Sequence, residues 1–228
     1  MYSFADYKAH YEDCEKSLRI IKSIIKQNKL KEITLSPEIK KSREYLISLF
    51  AKPELNGICK NCRGDCCVTS NFCLRPFELF CFCIENPDFE FPQPDWRFLD
   101  EELKRNKLLI NNHCLFLDSH GCLLNEHRPA ICLLFYDCDL SFRPDNLKAK
   151  LKEVLSAQEM ERIFFLQTKK YVIARESFCN DLLRSAGISK NSLLAVEIKG
   201  TITSGVIGYK TSLSSLEKLS DLYKNKSP

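Results

Sequence analysis

Long apolar runs are absent from this chain. No window approaches the ~18 consecutive apolar residues that mark a membrane-crossing helix, so no membrane span is expected. The opening residues, Met1 to His10, show no cationic stretch followed by an apolar one. A secretory signal is therefore not expected, and the expected compartment is cytoplasmic. Glycine is sparse, seven residues in 228, and never falls in the order of a phosphate-cradling loop, which removes the common nucleotide-binding motifs. Repeats and low-complexity tracts are missing as well. Positive charge is lacking where a nucleic-acid finger would need it. Lys and Arg outnumber Asp and Glu 11 to 8 over residues 1–58 and 15 to 10 over 139–228, but residues 59–138 carry 8 against 12. The middle of the chain is acidic, so no nucleic-acid partner is expected there.

What fills that acidic middle is cysteine. Of 13 cysteines, 11 lie between residues 59 and 138. Cys59-Lys-Asn-Cys62-Arg-Gly-Asp-Cys66-Cys67 sets four thiols in nine residues, and a second set follows at Cys114, Cys122 and Cys132. A disulfide framework is disfavoured, because the count is odd and a cytoplasmic chain keeps its thiols reduced. Metal is the favoured reading. Cys59 and Cys62 have the two-residue separation that lets both sulfurs reach one ion at about 2.3 Å, and Gly64 gives the backbone room to turn. Seven thiols exceed the four that one tetrahedral zinc takes. That leaves two ions, a polynuclear centre, or an iron–sulfur cluster with spare cysteines. No second Cys-x-x-Cys completes a zinc ribbon, and no ferredoxin-type run is present.

The other candidates are weaker. Cys138 is the next candidate ligand. His113, His120 and His127 stand beside the second thiol set, and each reads as polar surface or as a group orienting the ligands in preference to a ligand itself. Arg63, Arg75 and Arg128 are placed to offset thiolate charge. Cys73, Cys81 and Cys83 read equally well as small apolar core residues, and Cys14 and Cys179 are furthest from a ligand role. A Cys–His nucleophile, such as Cys114 with a nearby histidine, is disfavoured because ligand spacing accounts for these cysteines better.

The flanks read as helices. Tyr7, Tyr11, Cys14, Leu18, Ile21 and Ile25 recur at three- and four-residue steps and predict a helix over 7–28, with Lys8, Lys16, Lys22 and Lys26 on a solvated face. Ser36-Pro37-Glu38 opens a second helix with Ile39, Leu46, Leu49 and Phe50 on its apolar side. Pro76 starts another through about Glu85, with Phe77, Phe80, Cys81 and Ile84 on one face. Residues 86–98, with three prolines among Phe89, Phe91, Trp96 and Phe98, read as an ordered loop packing aromatics onto the core. A short helical turn follows at Asp100 to Leu109, then a small hairpin about Asp118-Ser-His-Gly121. Later helices are expected from Pro144-Asp145, from Ser156 to Ala186 with a stop at Gly187, and over Ser212 to Tyr223. Residues 193–208 are indecisive.

The cysteine pattern resembles that of the YkgJ-type cysteine-cluster family, described as zinc- or iron-chelating domains. The resemblance rests on Cys59, Cys62, Cys66-Cys67, Pro76-Phe-Glu78, Cys114-Leu-Phe116-Leu117, Gly121-Cys122 and Arg128-Pro129-Ala-Ile-Cys132, and covers roughly residues 59–135. Asn125 and Leu133 depart from it, standing where the family usually has Tyr and often has Arg. The resemblance implies metal binding, and a likeness to the cysteine-rich part of flagellin lysine methylases adds a metal-dependent redox or methyl-transfer enzyme as an alternative. The expectation is thus a mainly α, helical single domain with a short irregular or hairpin metal-binding segment. Residues 1–58 would form an N-terminal helical flank, 59–138 the cysteine-cluster core, and 139–228 a C-terminal helical region packed on it. Its partner would be a metal ion (zinc, iron or an iron–sulfur cluster) held by Cys59, Cys62, Cys66, Cys67, Cys114, Cys122 and Cys132. Whether the chain is an enzyme stays open at this point.

Overall fold

A computed structural model of the chain describes residues 3–27, 37, 40, 41, 44, 48, 74–105, 114–119, 121–124, 156, 157, 169–205, 207, 208 and 210–225. The described residues are mainly helical: α1 (Phe4–Gln27), α2 (Pro76–Glu85), α3 (Trp96–Arg105), a hairpin of β1 (Leu117–Asp118) and β2 (Gly121–Cys122), then α4 (Lys169–Ser185), α5 (Leu193–Ser204) and α6 (Lys210–Lys224). No described helix is long and apolar enough to cross a membrane. The chain divides into two compact units. Unit 1 is Met1–Tyr7, Pro37–Phe72 and Pro92–Tyr171; unit 2 is Lys8–Ser36, Cys73–Phe91 and Val172–Pro228.

In unit 1, Ser3 and Asp6 exchange hydrogen bonds at the start of α1. The Asp6 carboxylate accepts from the Ser3 N–H at 2.6 Å, and the Ser3 hydroxyl accepts from the Asp6 N–H at 3.2 Å. This is a capping box with a shortened acid. Phe4 meets Trp96 edge-on at 5.9 Å. The helix expected from Asp100 starts earlier, at Trp96, because the Asp95 carboxylate accepts from the Phe98 N–H at 3.0 Å and caps it there. Positions 37, 40, 41, 44 and 48 are helical and all exposed. Ile39, Leu46, Leu49 and Phe50, the apolar side expected of that helix, lie outside the described residues. The expected hairpin is present as a two-stranded antiparallel ladder with Leu117 opposite Cys122 and Asp118 opposite Gly121.

In unit 2, α2 lies at the centre. Eight of its ten residues are buried, from Pro76 to Cys83, so the helix is enclosed on all sides and not along the single face expected. Phe77 and Phe80 meet Phe178 of α4 edge-on at 5.5 and 5.7 Å. Phe82 meets Phe89 at 5.6 Å, and Phe89 meets Phe91 at 5.6 Å. The proline-rich loop does pack these two aromatics inward. Along the part of α1 in this unit the buried residues are Tyr11, Cys14, Leu18, Ile21 and Ile24, with Ser17 also enclosed. Ile24 takes the place expected for Ile25, since the buried face turns toward the Ser17 side in the last turns.

α4 ends where Gly187 predicts. Gly187 adopts φ 68°, its N–H donates to the Arg184 carbonyl at 2.9 Å, and the Ile188 N–H donates to the Leu183 carbonyl at 2.9 Å. Those two bonds form a Schellman cap. The indecisive 193–208 stretch contains α5, started by the Ser192 hydroxyl, which accepts from the Ala195 N–H at 3.1 Å. Glu197 of α5 accepts from Lys218 of α6 at 2.7 Å and from the Ser215 hydroxyl at 3.1 Å. The Tyr223 hydroxyl of α6 donates to the Leu182 carbonyl of α4 at 2.6 Å.

The mainly α expectation stands. Its metal-binding segment is corrected. Among the described residues no group of three or more His, Cys, Asp or Glu side chains is placed to hold a metal ion. The hairpin shows why on its part of the chain: the cross-strand neighbour of Cys122 is the hydrocarbon Leu117, and that of Asp118 is Gly121, which has no side chain. Neither pairing brings two metal donors together.

Replacing Ser192 with Ala should lower unfolding free energy by about 1 kcal/mol through loss of the cap. Gly187→Ala should cost about 1–2 kcal/mol through its left-handed backbone. Urea unfolding midpoints read both.

Candidate functional site

The seven cysteines expected to act together divide by position. Cys59, Cys62, Cys66, Cys67 and Cys132 lie outside the described residues, as do Cys138, His113, His120 and His127. Cys114 and Cys122 are described. Both belong to the hairpin of unit 1, and both are half-buried. The Leu117 N–H donates back to the Cys114 carbonyl at 3.2 Å, and the Leu123 N–H donates to the Phe116 carbonyl at 2.7 Å. These bonds hold Cys114 just before β1 and Cys122 at the end of β2, while Leu115, Phe116, Leu117 and Leu124 supply a buried apolar base. Reagents and oxidants need access to sulfur, and neither residue is fully enclosed.

The thiols of unit 2 contrast with these. Cys14, Cys81, Cys83 and Cys179 are all buried, at 3% exposure or less. Burial pushes the Cys83 thiol up to about 12, with Lys22 pulling weakly the other way. Burial does the same at Cys179, also to about 12, against Arg175 and Lys199. Desolvation disfavours the thiolate, so these two sulfurs stay protonated and unreactive near neutral pH. Cys81 and Cys83 thus act as small hydrophobic residues. None of the six described cysteines is in a disulfide.

A second constellation in unit 2 was not visible in the sequence. His10 on α1 places Nδ1 3.3 Å from the Gly208 carbonyl, and its Nε2 lies 3.9 Å from the Cys14 sulfur one helical turn further on. Gly208 has φ +87°, and a Cβ built there would stand 2.2 Å from His10 Cε1, 2.4 Å from Nδ1 and 2.9 Å from the Cys14 sulfur. The ring therefore fills the space over Gly208. Burial holds the imidazole below the usual histidine range, although the Gly208 carbonyl and Asp13 both favour its charged form. In the neutral ring the Nδ1–H donates to the carbonyl, and Nε2 is left as an acceptor facing the thiol. Cys14 is 3% exposed, so its sulfur is closed to substrates, while His10 is half-buried.

No family model matches the chain, and no curated protein or solved structure matches it. The resemblance to the YkgJ-type cysteine-cluster family is thereby withdrawn. With it go the chelation of zinc, iron or an iron–sulfur cluster, the metal-dependent redox or methyl-transfer alternative, and the metal ion as partner. Among the described residues no three or more His, Cys, Asp or Glu side chains converge to hold one. Thiol spacing encodes how short a loop two sulfurs could close, but a metal site also needs a third and fourth donor converging from elsewhere.

The two classes of thiol differ measurably. Raising a thiol from 9.0 to about 12 lowers its thiolate fraction near pH 8 roughly a thousandfold. Iodoacetamide on the native chain should modify Cys114 and Cys122 while Cys83 and Cys179 stay intact, and all should react after unfolding. Peptide mapping of the alkylated cysteines checks this.

Proposed function

We propose that this chain is a cytoplasmic thiol protein that responds to oxidants. Its reactive residues are Cys59, Cys62, Cys66, Cys67, Cys114, Cys122 and Cys132, which cycle between thiols and disulfides. The observation supporting it is the segregation of thiols: the described cysteines of unit 2 are buried, whereas the two described in unit 1 are only half-buried. Bridges in a reducing compartment are usually transient and serve catalysis or sensing. The spacing also suits the chemistry. Cys59 and Cys62 are separated as in dithiol redox motifs, and Lys60 and Arg63 adjoin them with positive charge that favours thiolates.

The reaction takes a peroxide as oxidant. A thiolate attacks one peroxide oxygen, forming an S–O bond as the O–O bond breaks, and the departing oxygen leaves as water after protonation. A second thiolate attacks that sulfur, an S–S bond forms, and the S–O bond breaks to release a second water. Two thiols lose two electrons and two protons, and one hydrogen peroxide becomes two waters. Thiols of the reducing pool reverse the bridge.

The test uses the full reduced chain with stoichiometric hydrogen peroxide, followed by alkylation and peptide mass analysis. Bridges among the seven named cysteines, reversed by dithiothreitol, are expected, with Cys14, Cys81, Cys83 and Cys179 left as thiols. Oxidation spread evenly over all cysteines, or no bridge within the seven, overturns the reading.

A further inference from the structure

We propose that the outer face of α5 is a self-association surface, on which a second copy of this chain docks with its own α5 antiparallel. Among the described residues, the large apolar side chains that stand exposed are Val172, Ile173, Leu193 and Val196, at 39%, 55%, 90% and 65%. All four belong to α4 and α5 of unit 2, so this apolar surface is gathered on two helices and not scattered singly. α5 is apolar on two opposite sides. Ala195, Ile198 and Ile202 are buried on one. Leu193, Val196 and Gly200 recur at three- and four-residue steps on the other, and all three are exposed. A helix apolar on both sides calls for a partner on both.

The outer face is complementary to itself. Leu193 is its knob and Gly200 its hole, since a Cβ at Gly200 would meet nothing within 4 Å. Glycine weakens a helix interior, and no described neighbour demands it there. Leu193 and Gly200 lie two turns apart on one side, with Val196 between them. Turning a second α5 end for end about an axis beside Val196 sets each Leu193 over the other copy's Gly200 and brings the two Val196 side chains together. A two-fold pairing needs such a patch, because both copies present the same residues. Charge permits it. Glu197 borders the axis, but Lys218 donates to it at 2.7 Å and the Ser215 hydroxyl at 3.1 Å. Lys199, on the other flank, lies 3.8 Å from Glu176. Each copy therefore neutralises its own rim, and two copies meet without like charges left unpaired. The exposed side chains supply roughly a few hundred Å² of apolar surface per copy. Two copies with their rims approach the ~1,000 Å² of a specific interface, which sets a reversible dimer and not a permanent one.

Sedimentation velocity of the full chain in dithiothreitol tests this, the reductant removing any disulfide-linked dimer. Between about 1 and 300 µM the wild type should pass from monomer to dimer. Val196→Glu and Gly200→Leu should each raise the dissociation constant about tenfold or more. Circular dichroism should show unchanged helix content, because both positions are open in the single chain. Gly200→Leu is the sharper variant. It adds apolar surface, so a non-specific hydrophobic contact would tighten where a knob-and-hole seam loosens. A chain monomeric throughout overturns the proposal, whichever other partner the face then takes. So does a dimer that either variant leaves unchanged or tightens. If both variants unfold, isotope-labelled and unlabelled wild type are mixed, and contacts between chains are read by filtered NOEs. Contacts from the Leu193 methyls to the Gly200 Hα of the other chain support the seam, and their absence in the dimer overturns it.

Discussion

Unit 2 depends on enclosing α2 completely. A ten-residue helix with eight buried residues cannot leave an open side, so each direction around it needs an apolar partner. Phe178 of α4 takes the side of Phe77 and Phe80, α5 packs along the helix, and Phe89, itself met by Phe91, folds back over Phe82. Fully burying an aromatic or aliphatic side chain of this size contributes about 1.5–3 kcal/mol. Phe77, Leu79, Phe80 and Phe82 are each enclosed to 2% exposure or less. The three prolines of residues 86–98 suit this arrangement, because the chain must turn back at once and a helix could not.

That enclosure also decides what the cysteines of α2 are. Cys81 and Cys83 stand two positions apart on a helix, which directs them to different sides, and both directions end in packing. Neither can take part in chemistry that needs water, a metal ion or an oxidant to reach sulfur. Cysteine content by itself therefore overstates the reactive thiols of this chain. Location sorts them: the buried sulfurs belong to the helical core, and the half-exposed ones belong to the hairpin. The surface ion pairs, such as Lys16 with Glu217 at 2.6 Å, add little by comparison, since both partners keep much of their contact with water.

Much of this fold was legible from local rules. The stripe on α1, the proline opening α2, the glycine closing α4 and the turn of the hairpin each leave a signature within a few residues, and each element is present. α5 was not legible. Val196, Ile198, Thr201, Ile202 and Thr203 are β-branched, and Gly200 interrupts them, so propensity opposes the helix that packing imposes. α3 starts at Trp96, four residues before the apolar pattern indicates, because Asp95 carries no apolar signal and acts through one hydrogen bond to Phe98. The proposed metal segment failed for a related reason. Spacing describes the chain between two sulfurs and is silent about what lies across a strand, where Cys122 meets Leu117.

His10 is the sharpest instance of information that sequence does not carry locally. It sits among lysines and acids on an amphipathic helix, and nothing near it distinguishes it from a solvated histidine. Its role is set by Gly208, which adopts φ +87° and offers a bare carbonyl. Any other residue there would bring a Cβ to within 2.2 Å of the ring. Backbone conformation and side-chain volume therefore demand glycine at the same position for independent reasons. Substituting Gly208 would strain the turn and push the ring away together, whereas substituting His10 would leave the turn's own geometry permitted. The two halves of this contact are thus separable by mutation, and the titrating half belongs to α1 alone.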